Sequence, residues 1–266
     1  MDENRNKCNR YQDYNMARID IKITYLILYL LLSRRLVVRM ADIKPIYVNH
    51  LLSEVEKLTL DDKITVKLSK KMYLTRESYL ESHVYILIEG VVIMSLLGTN
   101  GENVNISYMN KPGIVTLFRE EDEGLVNQPY DVKVDSNTAT FYRVNRLTFW
   151  KLVNKDEILN QYVKMYYRQR INVNVERMEY MGSSKVDQVG EFLYRCIKLF
   201  GVKNNINGEI LINHKITHQT IGDFCGIKSR SSVTRIMNKL VSQNLIEQKM
   251  RLILIKDVEY FEKYAR

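Results

Sequence analysis

The sequence predicts an α+β fold: an antiparallel β-roll, then a long helix, then a small helical domain carrying a β-hairpin. Three observations carry this. From residue 64 to residue 142, short β-rich runs alternate with turn signals roughly every ten residues, the rhythm of a sandwich or roll. Residues 147–181 return to helical spacing. Beyond Gly182-Ser-Ser, short amphipathic helices flank Gly226, and an apolar-rich hairpin pattern follows at 245–255. The domains expected are an extension at 1–39, a roll at 40–146, a helical segment at 147–182 and a C-terminal domain at 183–266.

The first 39 residues stand apart. Residues 23–32 are an apolar run, Ile-Thr-Tyr-Leu-Ile-Leu-Tyr-Leu-Leu-Leu, followed by Ser33-Arg34-Arg35. A bilayer span takes about 20 residues, so this run is too short. Its positive charges follow the apolar stretch, the reverse of a signal peptide. Met40 opens Met-Ala-Asp-Ile-Lys-Pro, an ordinary start. Residues 1–39 are therefore expected to be dispensable. The alternative is a membrane-surface helix, which would make the protein a membrane-associated sensor or adaptor.

Residues 43–60 read as a helix, with Val48, Leu51, Leu52, Val55 and Leu58 at helical spacing. The strands follow, with Asn100-Gly101 as a hairpin turn between two of them. In the long helix, Ile158, Tyr162, Met165, Gln169 and Asn172 recur at intervals of four and three. That heptad character makes a two-stranded seam, and polar Gln169 and Asn172 within it would fix its register. A parallel stripe runs Leu159, Val163, Tyr166, Arg170 and Val173; the alternative to a seam is a helix packed on its own sheet.

The formal net charge is +9, unevenly spread. Residues 40–182 hold 18 Lys and Arg against 19 Asp and Glu, whereas residues 183–266 hold 14 against 8. A basic module beside a neutral one suits a polyanion, nucleic acid ahead of membrane; a solvated basic surface has the same counts. Cys8, Cys196 and Cys225 are scattered, which fits a reducing cytoplasm and lacks the ligand pattern of zinc or iron–sulfur sites. His50, His83, His214 and His218 form no metal spacing, and no catalytic signature appears. The chain is expected to be neither an enzyme nor a metalloprotein.

The C-terminal domain is the most informative stretch. A helix at about 185–200 carries Val189, Phe192, Leu193, Cys196 and Ile197, and Gly201 closes it. Thr217 suits an N-cap, Gly226 a tight turn, and Ser229 a second N-cap. In the next helix Val233, Ile236, Met237 and Leu240 form a buried side, while Ser231, Thr234, Arg235 and Asn238 form an exposed one. That exposed face has no carboxylate, and Arg230 lies beside it. Such side chains read base edges and phosphates, whereas an ordinary solvated helix mixes in acids. The pattern is a winged helix-turn-helix, with Lys249 and Arg251 near the wing tip.

These residues bring the chain to a family. Tyr85-Ile-Leu-Ile-Glu-Gly-Val-Val-Ile, Ile106-Ser-Tyr-Met-Asn-Lys-Pro-Gly, Ile216-Thr-His-Gln-Thr-Ile-Gly and Ser232-Val-Thr-Arg-Ile resemble motifs of the CRP/FNR regulators. Gly226-Ile-Lys-Ser-Arg-Ser-Ser-Val-Thr-Arg is most similar to the PrfA branch, that of a listerial virulence activator. The resemblance covers about residues 45–266 and is most specific in the last 50. It implies a cyclic-nucleotide-binding-like jelly roll, a dimerisation helix and a winged helix-turn-helix. It implies a cytoplasmic homodimer on double-stranded, palindromic DNA, with RNA polymerase as a partner if the protein activates, and no membrane. Base reading falls to Arg230, Ser231, Thr234, Arg235 and Asn238. Phosphate contact falls to Thr217, Gln219, Lys228, Ser229, Ser232, Lys249 and Arg251. The cAMP-dependent member of the family has arginine where this chain has His218, so that contact is not carried over.

The effector segment departs from the cyclic-nucleotide pattern. Gly113-Ile-Val-Thr-Leu-Phe lacks the glutamate, Asn127-Gln-Pro replaces Arg-Ser, and Glu120-Glu-Asp-Glu123 between them repels phosphate. Control by cyclic nucleotide is therefore not expected. The PrfA-like resemblance implies instead a small peptide or thiol effector such as glutathione, near Tyr108, Lys111, Tyr162 and Tyr166. Those tyrosines read equally as core or seam.

Overall fold

A computed structural model describes residues 43–98, 101–118 and 121–265. The apolar run at 23–32 and the extension expected at 1–39 lie outside them. Helix α1 (Pro45–Glu56) starts on a proline whose preset φ suits a first turn, and it buries Leu51 and Val55. It is shorter than the 43–60 read from spacing.

Ten strands follow: β1 (Lys63–Ser69), β2 (Tyr73–Thr75), β3 (Leu80–Glu81), β4 (His83–Glu89), β5 (Val92–Leu97), β6 (Asn103–Met109), β7 (Gly113–Thr116), β8 (Val126–Asn127), β9 (Asp131–Val134) and β10 (Thr138–Asn145). They pair antiparallel into sheets ordered β1-β10-β4-β7 and β2-β9-β5-β6, with β3 and β8 as a separate pair. Tyr85, Leu87, Val92, Met94, Val115, Val132, Val134 and Phe141 fill the space between the two large sheets. Strand β4 is buried at four successive positions because both its faces are covered. Tyr85 and Leu87 point into the roll, while Val84 and Ile86 meet the helices.

The helical stretch at 147–181 is two helices, α2 (Arg146–Lys155) and α3 (Glu157–Met181). Asp156 between them is extended, and its carboxylate accepts hydrogen bonds from the N–H groups of Ile158 and Leu159. That is an N-cap, so a new helix starts there. The stripe Leu159, Val163 and Tyr166 packs on the chain's own roll, with Tyr162 beside it. Tyr162 is therefore not free for the seam in which the spacing put it. It is 2% exposed, and its hydroxyl accepts from the Ile114 N–H at 3.1 Å. Burial pushes its phenol up to about 12.

The C-terminal part comprises α4 (Lys185–Phe200), β11 (Gly201–Lys203), β12 (Ile210–Ile212), α5 (His218–Cys225), α6 (Arg230–Ser242), β13 (Ile246–Lys249), β14 (Leu252–Ile255) and α7 (Val258–Glu262). The hairpin expected at 245–255 is β13 and β14, and it joins a four-stranded sheet ordered β11-β12-β14-β13. The sequence reading missed β11 and β12, three-residue strands too short to show a period. Val189, Phe192, Ile221, Phe224, Val233, Met237, Leu240 and Phe261 form the core.

This core takes in one aromatic side chain from the roll. Tyr108 of β6 stacks on Phe224 at 4.7 Å and meets Phe200 and His214 edge-on. Polar contacts reinforce the junction. The Asn110 amide donates to the Leu199 carbonyl at 2.6 Å, and His214 pairs with Asp135 at 2.7 Å.

Candidate nucleic-acid interface

The helix-turn-helix is built by local capping and two glycines. The Thr217 hydroxyl accepts from the Thr220 N–H at 3.0 Å and starts α5. Gly226 ends it at φ +63°, and the Ile227 N–H returns to the Gly222 carbonyl at 2.9 Å. The glycines do different work. A Cβ on Gly222 would sit 2.7 Å from the Ile227 carbonyl oxygen, whereas one on Gly226 meets nothing within 4 Å. Gly222→Ala must therefore displace backbone and should cost about 1–3 kcal/mol, as overpacking does. Gly226→Ala should cost only the left-handed strain of about 1 kcal/mol. Chemical denaturation of both variants checks the order, and a larger loss at Gly226 would contradict this turn.

Val233, Met237 and Leu240 bury one side of α6, and Ile236 is partly buried with them. Arg230, Ser231, Arg235 and Asn238 are exposed, and Thr234 is half-buried. No Asp or Glu occurs anywhere in this helix. Ser229 holds the N-cap position without a side-chain cap bond; its hydroxyl meets that of Ser231 at 2.7 Å. Thr217, Gln219, Lys228, Ser229, Lys249 and Arg251 are exposed around the helix, with Ser232 half-buried. Met250 and Arg251 turn the wing with φ of 52° and 67°, so the strand ends carry Lys249 and Arg251 out at its tip.

His218, for which sequence reasoning had no role, is central here. Its Nδ1 lies 2.8 Å from the Thr234 hydroxyl on α6, and its Nε2 lies 2.9 Å from the Gln248 side-chain oxygen on β13. One ring thus ties the exposed helix to the wing. Besides Thr217 and Ser229, two more of the expected phosphate contacts are engaged within the chain. Lys228 meets Glu102 of the roll at 3.3 Å, and the Gln219 amide donates to Asp223 at 2.7 Å. Burial pushes the Asp223 carboxyl up, with the Gln219 bond opposing.

The four residues expected around an effector cleft fall into separate places. Tyr108 belongs to the C-terminal core, and burial drives its phenol well above the usual range. Tyr162 and Tyr166 belong to the cluster between helices and roll, and Lys111 is exposed. Tyr130, Tyr166 and Arg170 all donate to the Val115 carbonyl, at 3.1, 3.4 and 3.1 Å. Arg146 is 2% exposed and holds the segment after β7 through the carbonyls of Phe118 and Glu123.

On α3, Met165, Gln169 and Asn172 of the expected seam are half-buried and Ile158 is exposed. Ile171, Val175 and Met178, absent from that expectation, are 62%, 51% and 70% exposed. Tertiary folding also gathers His50, Glu54 and Asp156, which sequence spacing separates. His50 bonds Asp156 at 2.7 Å. Burial works to raise the Asp156 carboxyl, but the His50 bond and the capping N–H groups outweigh it and hold it below its usual range. The His50–Asp156 pair clasps α1 to the start of α3. Among the described residues, no helix is long and apolar enough to cross a membrane, and the segment on which the membrane-surface alternative rests, residues 23–32, lies outside them.

The Crp-like helix-turn-helix domain family matches residues 188–264. The lactate racemization regulatory protein of Lactiplantibacillus plantarum is 38% identical over 197 residues, 74% of this chain and 88% of that protein. The listeriolysin regulatory protein of Listeria monocytogenes is 22% identical over 180 residues, 67% of this chain and 75% of that protein. These relatives are regulatory proteins rather than enzymes. Among solved structures, a CooA mutant from Carboxydothermus hydrogenoformans shares the fold with a TM-score of 0.64 at 14% identity, covering 81% of this chain and 94% of that one. FixK2 from Bradyrhizobium japonicum does so with a TM-score of 0.63 at 14% identity, covering 76% and 96%. With its roll, long helix and winged helix-turn-helix, the chain belongs to the CRP/FNR family of transcription regulators.

Proposed function

We propose that this regulator binds a palindromic DNA site as a homodimer joined along α3. Arg230, Ser231, Thr234, Arg235 and Asn238 read bases, and Thr217, Gln219, Lys228, Ser229, Ser232, Lys249 and Arg251 hold the backbone. The observation that carries this reading is the exposed, carboxylate-free face of α6, flanked by the basic wing tip. Two such helices related by a two-fold axis enter successive major grooves about 34 Å apart. Selection from a random duplex pool by the full chain tests it. An inverted repeat with half-sites about one helical turn apart is expected. Recovery of an asymmetric sequence, or of no preferred sequence, overturns the reading. Where the site lies at an activated promoter, RNA polymerase is the further partner.

Cyclic nucleotide does not control the switch in this reading. The Gly113–Thr116 strand is followed by no glutamate at the expected position, and the Val115 carbonyl is already covered by two tyrosines and an arginine. Calorimetry with millimolar cyclic AMP should give no saturable heat. Micromolar binding would show that these side chains rearrange around a nucleotide.

A further inference from the structure

The outer face of the sheet β2-β9-β5-β6 is covered by the DNA-binding part, yet the two do not pack shut. Strand alternation sends Val92, Met94, Val132 and Val134 into the roll and leaves Ile93, Ser95, Lys133 and Asp135 outside. A polar outer face is ordinary where water covers it. Here α5 and the wing lie over it and enclose a cavity of about 260 Å³.

The lining is selective. Ser95 and Asn105, paired across β5 and β6, are each only 6% exposed and face the cavity. Neither side chain has a hydrogen-bond partner among the described residues. Their polar atoms open onto the cavity rather than being sealed away, so the hydroxyl and the amide are free to bond a guest there. Around them stand five cations, Lys70, Lys71, Lys133, Lys215 and Arg251. Only two carboxylates accompany them, and both are engaged, Asp135 by His214 and Asp223 by Gln219. None of the five forms an ion pair within 4.0 Å among the described residues, although Lys133 lies near enough to Asp223 to work against the rise of its carboxyl. Lys133 is half-buried and the other four stand exposed around the cavity; like charges gathered there repel, most strongly where water is partly excluded. An anion relieves that repulsion, and the buried hydroxyl and amide would donate to its oxygens.

We propose that this cavity binds a small, multiply charged organic anion, a polycarboxylate or a phosphate ester. The volume lies just under the range of drug-sized ligand sites, which sets the size of a small metabolite. Thr217 and Arg251 line the cavity and are also assigned to the DNA backbone. Occupancy therefore draws on side chains that DNA needs, a consequence that rests on the proposed function; the site itself does not.

Titration calorimetry on the full chain without DNA, at constant ionic strength, tests the site with citrate, inorganic pyrophosphate and neutral sucrose as probes. One saturable anion per chain is expected, with no heat from sucrose, and the tighter anion assigns the class. Lys70→Ala/Lys133→Ala removes two cations that have no assigned DNA contact and should weaken binding about tenfold or more. Lys71→Glu, at an exposed turn, serves as a second variant if the first loses thermal stability. No saturable heat from either anion at millimolar concentration, or unchanged affinity in a folded variant, overturns the proposal. In a second arm the bound anion should weaken binding to the selected duplex in the wild type and not in the double variant. Anion binding without that effect overturns only the shared use of Thr217 and Arg251. Failure to bind any duplex counts against the proposed function and leaves the site standing.

Discussion

Replacing Ile171 and Val175 together with glutamate should convert the proposed dimer to a monomer and weaken binding to the proposed palindromic site by about 10²–10⁴-fold, the range that linked binding events gain over single ones. Ile171, Val175 and Met178 lie at i, i+4 and i+7 of α3, each more than half exposed, so one chain alone leaves an apolar stripe in water. The opposite side of α3 is already spent on the roll through Leu159, Tyr162, Val163 and Tyr166. A two-fold partner brings the same stripe against itself, where like charges are buried without counter-ions. Because both positions face solvent within the protomer, its thermal stability should hardly change. Sedimentation at micromolar concentration, paired with anisotropy on the selected duplex, reads both effects. Persistence of a dimer in the double variant would place the interface elsewhere.

Arg235→Ala should cost about 1–3 kcal/mol on the selected duplex and little on a scrambled one, whereas Lys249→Ala should weaken both alike. Arg235 is exposed on α6, one turn beyond Ser231, with no carboxylate on its helix to hold it. A guanidinium there reaches guanine O6 and N7 with two parallel hydrogen bonds, a fork that lysine lacks. Lys249 ends β13 beside the wing turn; in the proposed role of a phosphate contact, its loss should also flatten the salt slope by about one unit. A salt titration of both variants on both duplexes separates the roles. Equal losses on the two duplexes would make Arg235 a phosphate clamp. No loss on either would mean that α6 does not enter the groove.

What the sequence by itself determined is what local chain geometry controls. The two faces of α6 follow from helical period alone, and the caps at Thr217 and Gly226 follow from residue type. The two-residue wing turn carries Met250 and Arg251 rather than glycine, yet the apolar alternation on each side still located it. Asp156 was legible as a cap in principle, since its capping bonds go to the N–H groups two and three residues on, but the apolar spacing across it suggested one helix. The tertiary structure decided what depends on residues far apart in the chain. Both stripes of α3 are apolar enough to pack, and only the roll's shape decided that Tyr162 turns inward to Ile114. His218 joins Thr234 and Gln248 only after α6 and the wing have met, and His50 reaches Asp156 across 106 residues. Ser95, Asn105 and Lys133 read as the ordinary polar side of two strands. They become the lining of a cavity because a second folded part lies over that sheet, and no period along one strand records what will cover it.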